Sequence, residues 1–272
     1  MIDYDHDVPQ ALLIPEHHWP AFDTQGLSGE QRVRFNHLAC LFTCEMFVHF
    51  EEYIVRYVER HKTRLARHIA PHKLDTFVRE EREHIDAFYR LLQLIAPERY
   101  AQKSLKMLAW SRADTFLVWS ASLPAFFVTA SLFEEMTLYV ADVMEEKPEE
   151  SFDPVHAVMR LHAKEERSHV GIDNVLLRET AKERPRALFA AQLFMSLPII
   201  VFCDQTLARG WKKQVKMFGA GEGLTAGQVR GLERRGISLS DRMGLQSFFK
   251  KQRKLDLPGG ALLCGLLERF TQ

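Results

Sequence analysis

Cysteine, glycine and proline are all scarce in this 272-residue chain, and neither sign of charge is in excess. The four cysteines, Cys40, Cys44, Cys203 and Cys264, form no Cys-x-x-Cys pair, which excludes a disulfide scaffold and a zinc ribbon. Cys40 and Cys44 fall on one helix face as reduced, buried thiols. With 14 glycines and 11 prolines the chain is neither collagen-like nor low-complexity. Basic and acidic residues balance at 36 each, so the basic excess that phosphate neutralisation needs is missing and no nucleic-acid partner is expected. The opening Met1-Ile2-Asp3-Tyr4-Asp5-His6 is no charged-then-apolar leader, and the expectation is a reduced, cytoplasmic protein. Long uncharged runs are rare too. Residues 115–133 are long enough for a bilayer, but Pro124, Ser120, Ser122, Thr129 and Ser131 interrupt them and Glu134-Glu135 follows at once. A helix buried inside a bundle gives the same pattern, so no membrane span is expected.

What is present is helical periodicity over a chain that is 46% hydrophobic, enough for one sizeable core and a single domain over 1–272. Residues 1–28, punctuated by Pro9, Pro15 and Pro20, read as an extended arm. Long helices are predicted from Ser28-Gly29-Glu30 through Arg60 or beyond, over 71–95, over 114–146 and over 154–180. A short helix is predicted at 104–112, and a fifth long one over 186–218 with a kink at Pro198. The bundle core therefore lies at about 30–180. The segment 184–272 adds the fifth helix, one or two short helices and a solvated basic run, Lys250-Lys251-Gln252-Arg253-Lys254.

The chain also repeats itself. Phe50-Glu51-Glu52 and Phe133-Glu134-Glu135 each precede a loop and a helix-starting proline, Pro71 or Pro154. Each is then followed by a charged cluster, Glu80-Glu81-Arg82-Glu83-His84 in the first case and Glu165-Glu166-Arg167-Ser168-His169 in the second. Glu52 lies 29 residues before Glu81, and Glu135 lies 31 before Glu166. Residues three apart share a helix face, so Glu81 points with His84 and Glu166 with His169. One Glu from each of two helices, with Glu-x-x-His from each of two others, is the donor set of a carboxylate-bridged dinuclear centre. Four carboxylates neutralise two divalent ions, and imidazoles complete the shell. Without a cation, four acids in one core would desolvate and repel at high cost. His162 precedes Glu166 by four and His169 by seven, which places a third imidazole on the same stripe.

The set Glu52, Glu81, His84, Glu135, His162, Glu166 and His169 resembles the seven-ligand site of the p-aminobenzoate N-oxygenase (AurF-type) di-iron oxygenases, over residues 38–178. Within the ferritin-like proteins, His-x-x-x-Glu-x-x-His marks that family. The resemblance implies an all-α, ferritin-like four-helix bundle with additional N- and C-terminal helices. It implies two Fe ions, with Mn permitted by ligand type, and dioxygen activation through a peroxo-diferric intermediate. It also implies oxidation of a small organic substrate, first of all N-oxygenation of an aryl amine, with an external electron donor and a possible homodimer. C-hydroxylation or desaturation uses similar chemistry. A ferritin-like iron-handling or peroxide-scavenging protein is the reading from another class.

Several positions stay open in the sequence. Glu52 is taken as first ligand because the Phe-Glu-Glu repeat aligns it with Glu135; Glu45, seven residues earlier and alone in an apolar run, is the alternative. Glu51, Glu134, Glu80 and Glu165 are read as pointing elsewhere, toward solvent or behind the ligands. Arg82 and Arg167 are read as surface ion pairs with Glu80, Glu83 or Glu165. Among carboxylates that orient the histidines, Asp86, Asp173 and Asp204 are unranked. The small residues Ser120, Ala121, Ser122, Ala125, Thr129, Ala130 and Ser131, between Trp119, Phe126 and Phe127, fit either an apolar substrate pocket or close helix packing.

Overall fold

The computed structural model describes residues 2–15, 24, 26–234 and 242–270. Pro20 of the arm lies outside them. Among the described residues there is no strand, and the long elements are α1 (Gly29–Leu65), α2 (Pro71–Ile95), α4 (Leu123–Glu146) and α5 (Asp153–Glu183). α1 starts at a capping box in which Ser28 and Gln31 satisfy each other's backbone N–H groups. α2, α4 and α5 each carry proline in the first turn, where its missing N–H is harmless. α1 packs along α2 and α4 along α5, and the two hairpins meet through α2 and α5, giving a four-helix core. Asn36 ties the arm to this core. Its side chain accepts from Leu13 N at 2.7 Å and Ile14 N at 3.3 Å, and donates to Ile14 O at 2.8 Å.

Two expectations change. No helix forms at 104–112; those residues are a bend organised by Glu45, and α3 (Arg112–Ser120) begins where the predicted helix ends. The predicted helix over 114–146 is divided, because Ser122 caps a new start at Leu123 with Pro124 in its first turn. Proline cannot sit in a continuous helix interior without losing a hydrogen bond, so the chain turns there instead.

The helix predicted over 186–218 becomes α6 (Pro185–Ala191), a π turn (Gln192–Ser196) and α7 (Leu197–Gly221). The wider π turn immediately precedes Pro198, whose ring would clash with the i−4 carbonyl of a regular α-helix. Three short helices follow, α8 (Ala226–Arg234), α9 (Arg242–Leu255) and α10 (Gly260–Phe270). The basic run is part of α9, where Gln252 is buried and Arg253 pairs with Glu268 at 2.6 Å. α9, the π turn and α6 all pack on α4.

This burial explains why α4 is so apolar. Its most apolar 18-residue window is 78% buried inside the protein. A second described stretch, Pro185–Gly221, is also long and apolar enough to cross a membrane by length and composition, and its window is 39% buried. All four cysteines are buried free thiols.

Candidate metal centre

Helix phase delivers the donors. On α5, His162, Glu166 and His169 follow one another at spacings of four and three and are all buried on the side facing α1 and α2. Glu81 and His84 occupy the matching stripe of α2. Two groups of donor atoms converge, each within 4.8 Å: Glu51, His84, His162 and Glu166 in one, and Glu81, Glu166 and His169 in the other. Glu166 belongs to both. Aromatic rings flank the centre, with Phe47 and Phe88 edge-on to His162 and Phe77 edge-on to His169.

The residues before the two Glu-x-x-His motifs cross between the helices. His84 Nε2 meets Glu165 at 2.7 Å, and His169 Nε2 meets Glu80 at 3.1 Å. Each imidazole thus donates its outer N–H to a carboxylate on the opposite helix, which fixes the tautomer and ring orientation. The inner nitrogens are left facing carboxylates. His84 Nδ1 lies 3.5 Å from both Glu81 and Glu166, and His169 Nδ1 lies 3.1 Å from Glu81 and 3.3 Å from Glu166. His162 Nε2 lies 2.7 Å from Glu51 and 3.2 Å from Glu166.

Neither oxygen of Glu81 accepts a hydrogen bond, nor does His84 Nδ1 make one. Buried Glu81 oxygens and His84 Nδ1 that face one another without a hydrogen bond are what a cation would satisfy, and the residues fit a metal centre on that ground. In the metal-free chain burial opposes charge on His169, but the adjacent Glu166 and Glu81 carboxylates outweigh it and push its pKa up to about 12. Burial opposes charge on Glu166 as well, yet His162 and His169 hold its carboxyl well below the usual range. Metal binding must therefore displace a proton from this cluster.

The first donor of the first hairpin is offset from the sequence reading. Glu51, not Glu52, points inward; Glu52 lies on the outer face and pairs with Arg56 at 3.0 Å. On α4, Glu134 and Glu135 are both buried and neither belongs to the converging donor groups; burial and the charges of Asp173, Glu166 and Glu81 hold the Glu134 carboxyl above its usual range. On α1 the inward member of Phe-Glu-Glu is its first glutamate. Glu45 is no donor to this centre, because it accepts hydrogen bonds from Tyr100 and the 106–108 backbone. Glu80 and Glu165 stand behind the histidines. Arg82 pairs with Glu59 on α1 and Arg167 with Asp142 at 3.7 Å, so both arginines stay at the surface with other partners than expected.

The α4 small-residue stripe is taken up by packing. Thr129 donates to Ala125 O at 2.9 Å, and Phe126 stacks on Tyr57 with ring centroids 3.6 Å apart. A cleft of about 490 Å³ does form at the start of α4, lined by Ser122, Leu123 and Pro124 with Arg64, Arg184 and Phe194, but none of the metal-facing residues lines it.

Replacing Glu165 or Glu80 by Ala removes no inward donor but frees a histidine ring. Each variant is expected to weaken metal binding by about 10–100-fold, the range found for groups behind ligands, as read by competition with a chromophoric chelator.

Fold and site together define the class: a ferritin-like helical bundle with buried carboxylate and histidine clusters of the kind that hold metal ions. Comparison with protein-family models, curated proteins and solved structures finds no match.

Proposed function

We propose that the protein is a dioxygen-dependent oxidoreductase that uses two iron ions to oxidise a small organic substrate, with N-oxygenation of an aryl amine as the first reaction to test. The observation that carries this reading is the pair of donor groups joined through Glu166, with three imidazoles among them. The metal pair, when bound, supplies reductive activation of dioxygen. The overall reaction consumes an amine, dioxygen, two electrons and two protons and gives a hydroxylamine and water, so an external electron donor is required.

The chain's own residues set the conditions for that chemistry. Glu51, Glu81, Glu134 and Glu166 would hold the ions and balance four positive charges; His84, His162 and His169 would anchor them. Glu165 and Glu80 keep the His84 and His169 rings oriented by accepting their outer N–H groups. Phe47, Phe77 and Phe88 exclude water from the imidazoles, which strengthens electrostatic interactions inside.

The test is anaerobic loading with ferrous iron, an iron count per chain, then addition of isotopically labelled dioxygen with p-aminobenzoate and a chemical reductant. Two irons per chain and one labelled oxygen in an N-oxidised product are expected. Uptake of many irons per chain without product would instead establish the iron-handling reading.

A further inference from the structure

One end of the bundle carries a second concave site, where α1 ends, α4 begins and α5 passes into α6. This is the cleft of about 490 Å³, a size that holds a small organic ligand. One wall is apolar: Leu123 and Pro124 of α4, Ala190 and Ala191 of α6, and Phe194 and Met195 of the π turn. The rim is cationic. Arg64 at the end of α1, Arg67 in the turn after it and Arg184 at the α5–α6 junction face a single acid, Glu183.

Other surface arginines are already matched: Arg34 pairs with Glu222, Arg56 with Glu52 and Arg82 with Glu59. Among the described residues Arg64, Arg67 and Arg184 form no ion pair, not even with the Glu183 that shares their cleft. A concavity lined by one sign of charge focuses its field and draws in the opposite sign. The start of α4 at the same place adds the positive end of a helix dipole. The apolar wall is equally exposed. Phe194 is 74% exposed, on a π turn fastened to the first turn of α4 by Ser196 Oγ, which donates to Ala125 O at 3.2 Å. A large aromatic ring is thus held at the lip of a cleft whose cations lack partners.

We propose that this cleft binds an organic anion with an apolar body. The anionic group, a carboxylate or phosphate, sits among Arg64, Arg67 and Arg184, and the hydrocarbon part lies on Leu123, Pro124 and Phe194. Guanidinium forks grip planar carboxylates and phosphates through paired N–H bonds. Small inorganic anions gain only exposed, salt-screened charge contacts, so the apolar wall selects for the body as well as the head. Arg64 lies 13 residues beyond Glu51 on α1, about 20 Å of helix, so the ligand sits apart from the metal-facing donors and the site does not depend on the metal reading.

The test is calorimetric titration of the protein as purified with decanoate below its micelle concentration, beside acetate, which lacks the body, and decyltrimethylammonium, which reverses the charge. One decanoate per chain is expected, with no saturable binding of either control. Arg64→Ala and Arg184→Ala should each weaken decanoate about 10-fold, as expected when one charge-assisted hydrogen bond is lost. Phe194→Ser should weaken it as well, whereas Arg209→Ala, an exposed arginine further along α7, should leave affinity unchanged. All four side chains are exposed, so the variants should melt like the wild type. No decanoate binding by the wild type overturns the proposal, as does equal binding of decyltrimethylammonium or unchanged affinity in both arginine variants. Sedimentation of the protein with phosphatidylglycerol vesicles without binding of free decanoate would also overturn it, by assigning this face to a membrane surface.

Discussion

Glu166→Gln is expected to lower the affinity for both ions together, by at least about 100-fold each, beyond the effect typical of residues behind the ligands. Glu166 alone belongs to both donor groups, and its Oε1 lies 3.2–3.5 Å from His162, His169 and His84. Glutamine keeps the volume but offers one carbonyl oxygen and an amide that repels a cation, so it cannot bridge. His162→Ala should behave differently, since His162 belongs only to the first group; one ion should be weakened and the other retained. Metal titration of the two variants separates these outcomes. Retention of one tightly held ion by Glu166→Gln would show that the groups do not share this residue when loaded.

The helices, the hairpin repeat and the Glu-x-x-His stripes are legible in the sequence because each depends on local spacing. The one-residue offset in the first donor of the first hairpin has a physical cause, and the two helices differ in how well the sequence shows their phase. On α1 the phase is available: Glu52 shares its face with Arg56 and Glu59, a charged stripe, whereas Glu51 follows Phe47 by four and precedes Val58 by seven. On α4 almost every position is apolar, and phase is hidden. The exposed Asp142, seven residues after Glu135, marks the outer face, and the buried Ala141, seven after Glu134, marks the inner one. The crossing of Glu80 and Glu165 to the opposite histidines is not legible, because it depends on how α2 and α5 approach one another. Nor is the π turn, which is set by packing of 192–196 on α4 as much as by Pro198.

Glu45→Ala is expected to cost about 3–5 kcal/mol of stability while leaving both ions in place. The carboxylate is fully buried and accepts from Tyr100 Oη at 2.6 Å, Lys106 N and Met107 N at 2.8 Å, and Leu108 N at 2.9 Å. Truncation would leave the Met107 and Leu108 N–H groups buried without acceptors, each at a cost of about 1–3 kcal/mol. Glu45→Gln keeps one good acceptor and should lose less. For a chain of this size the Ala variant should melt on the order of 10 °C lower. The bend is also held from its other side. A Cβ on Gly210 of α7 would come within 2.8 Å of Leu108 Cδ2 and 3.2 Å of Met107 O, so any larger residue there must push the bend away. Gly210→Ala should therefore destabilise the same bend, and in combination with Glu45→Ala the losses should be less than additive, since both act on one segment. Metal content distinguishes this scaffold role from ligation: a Glu45→Ala protein that melts like the wild type but loses an ion would return Glu45 to the donor set.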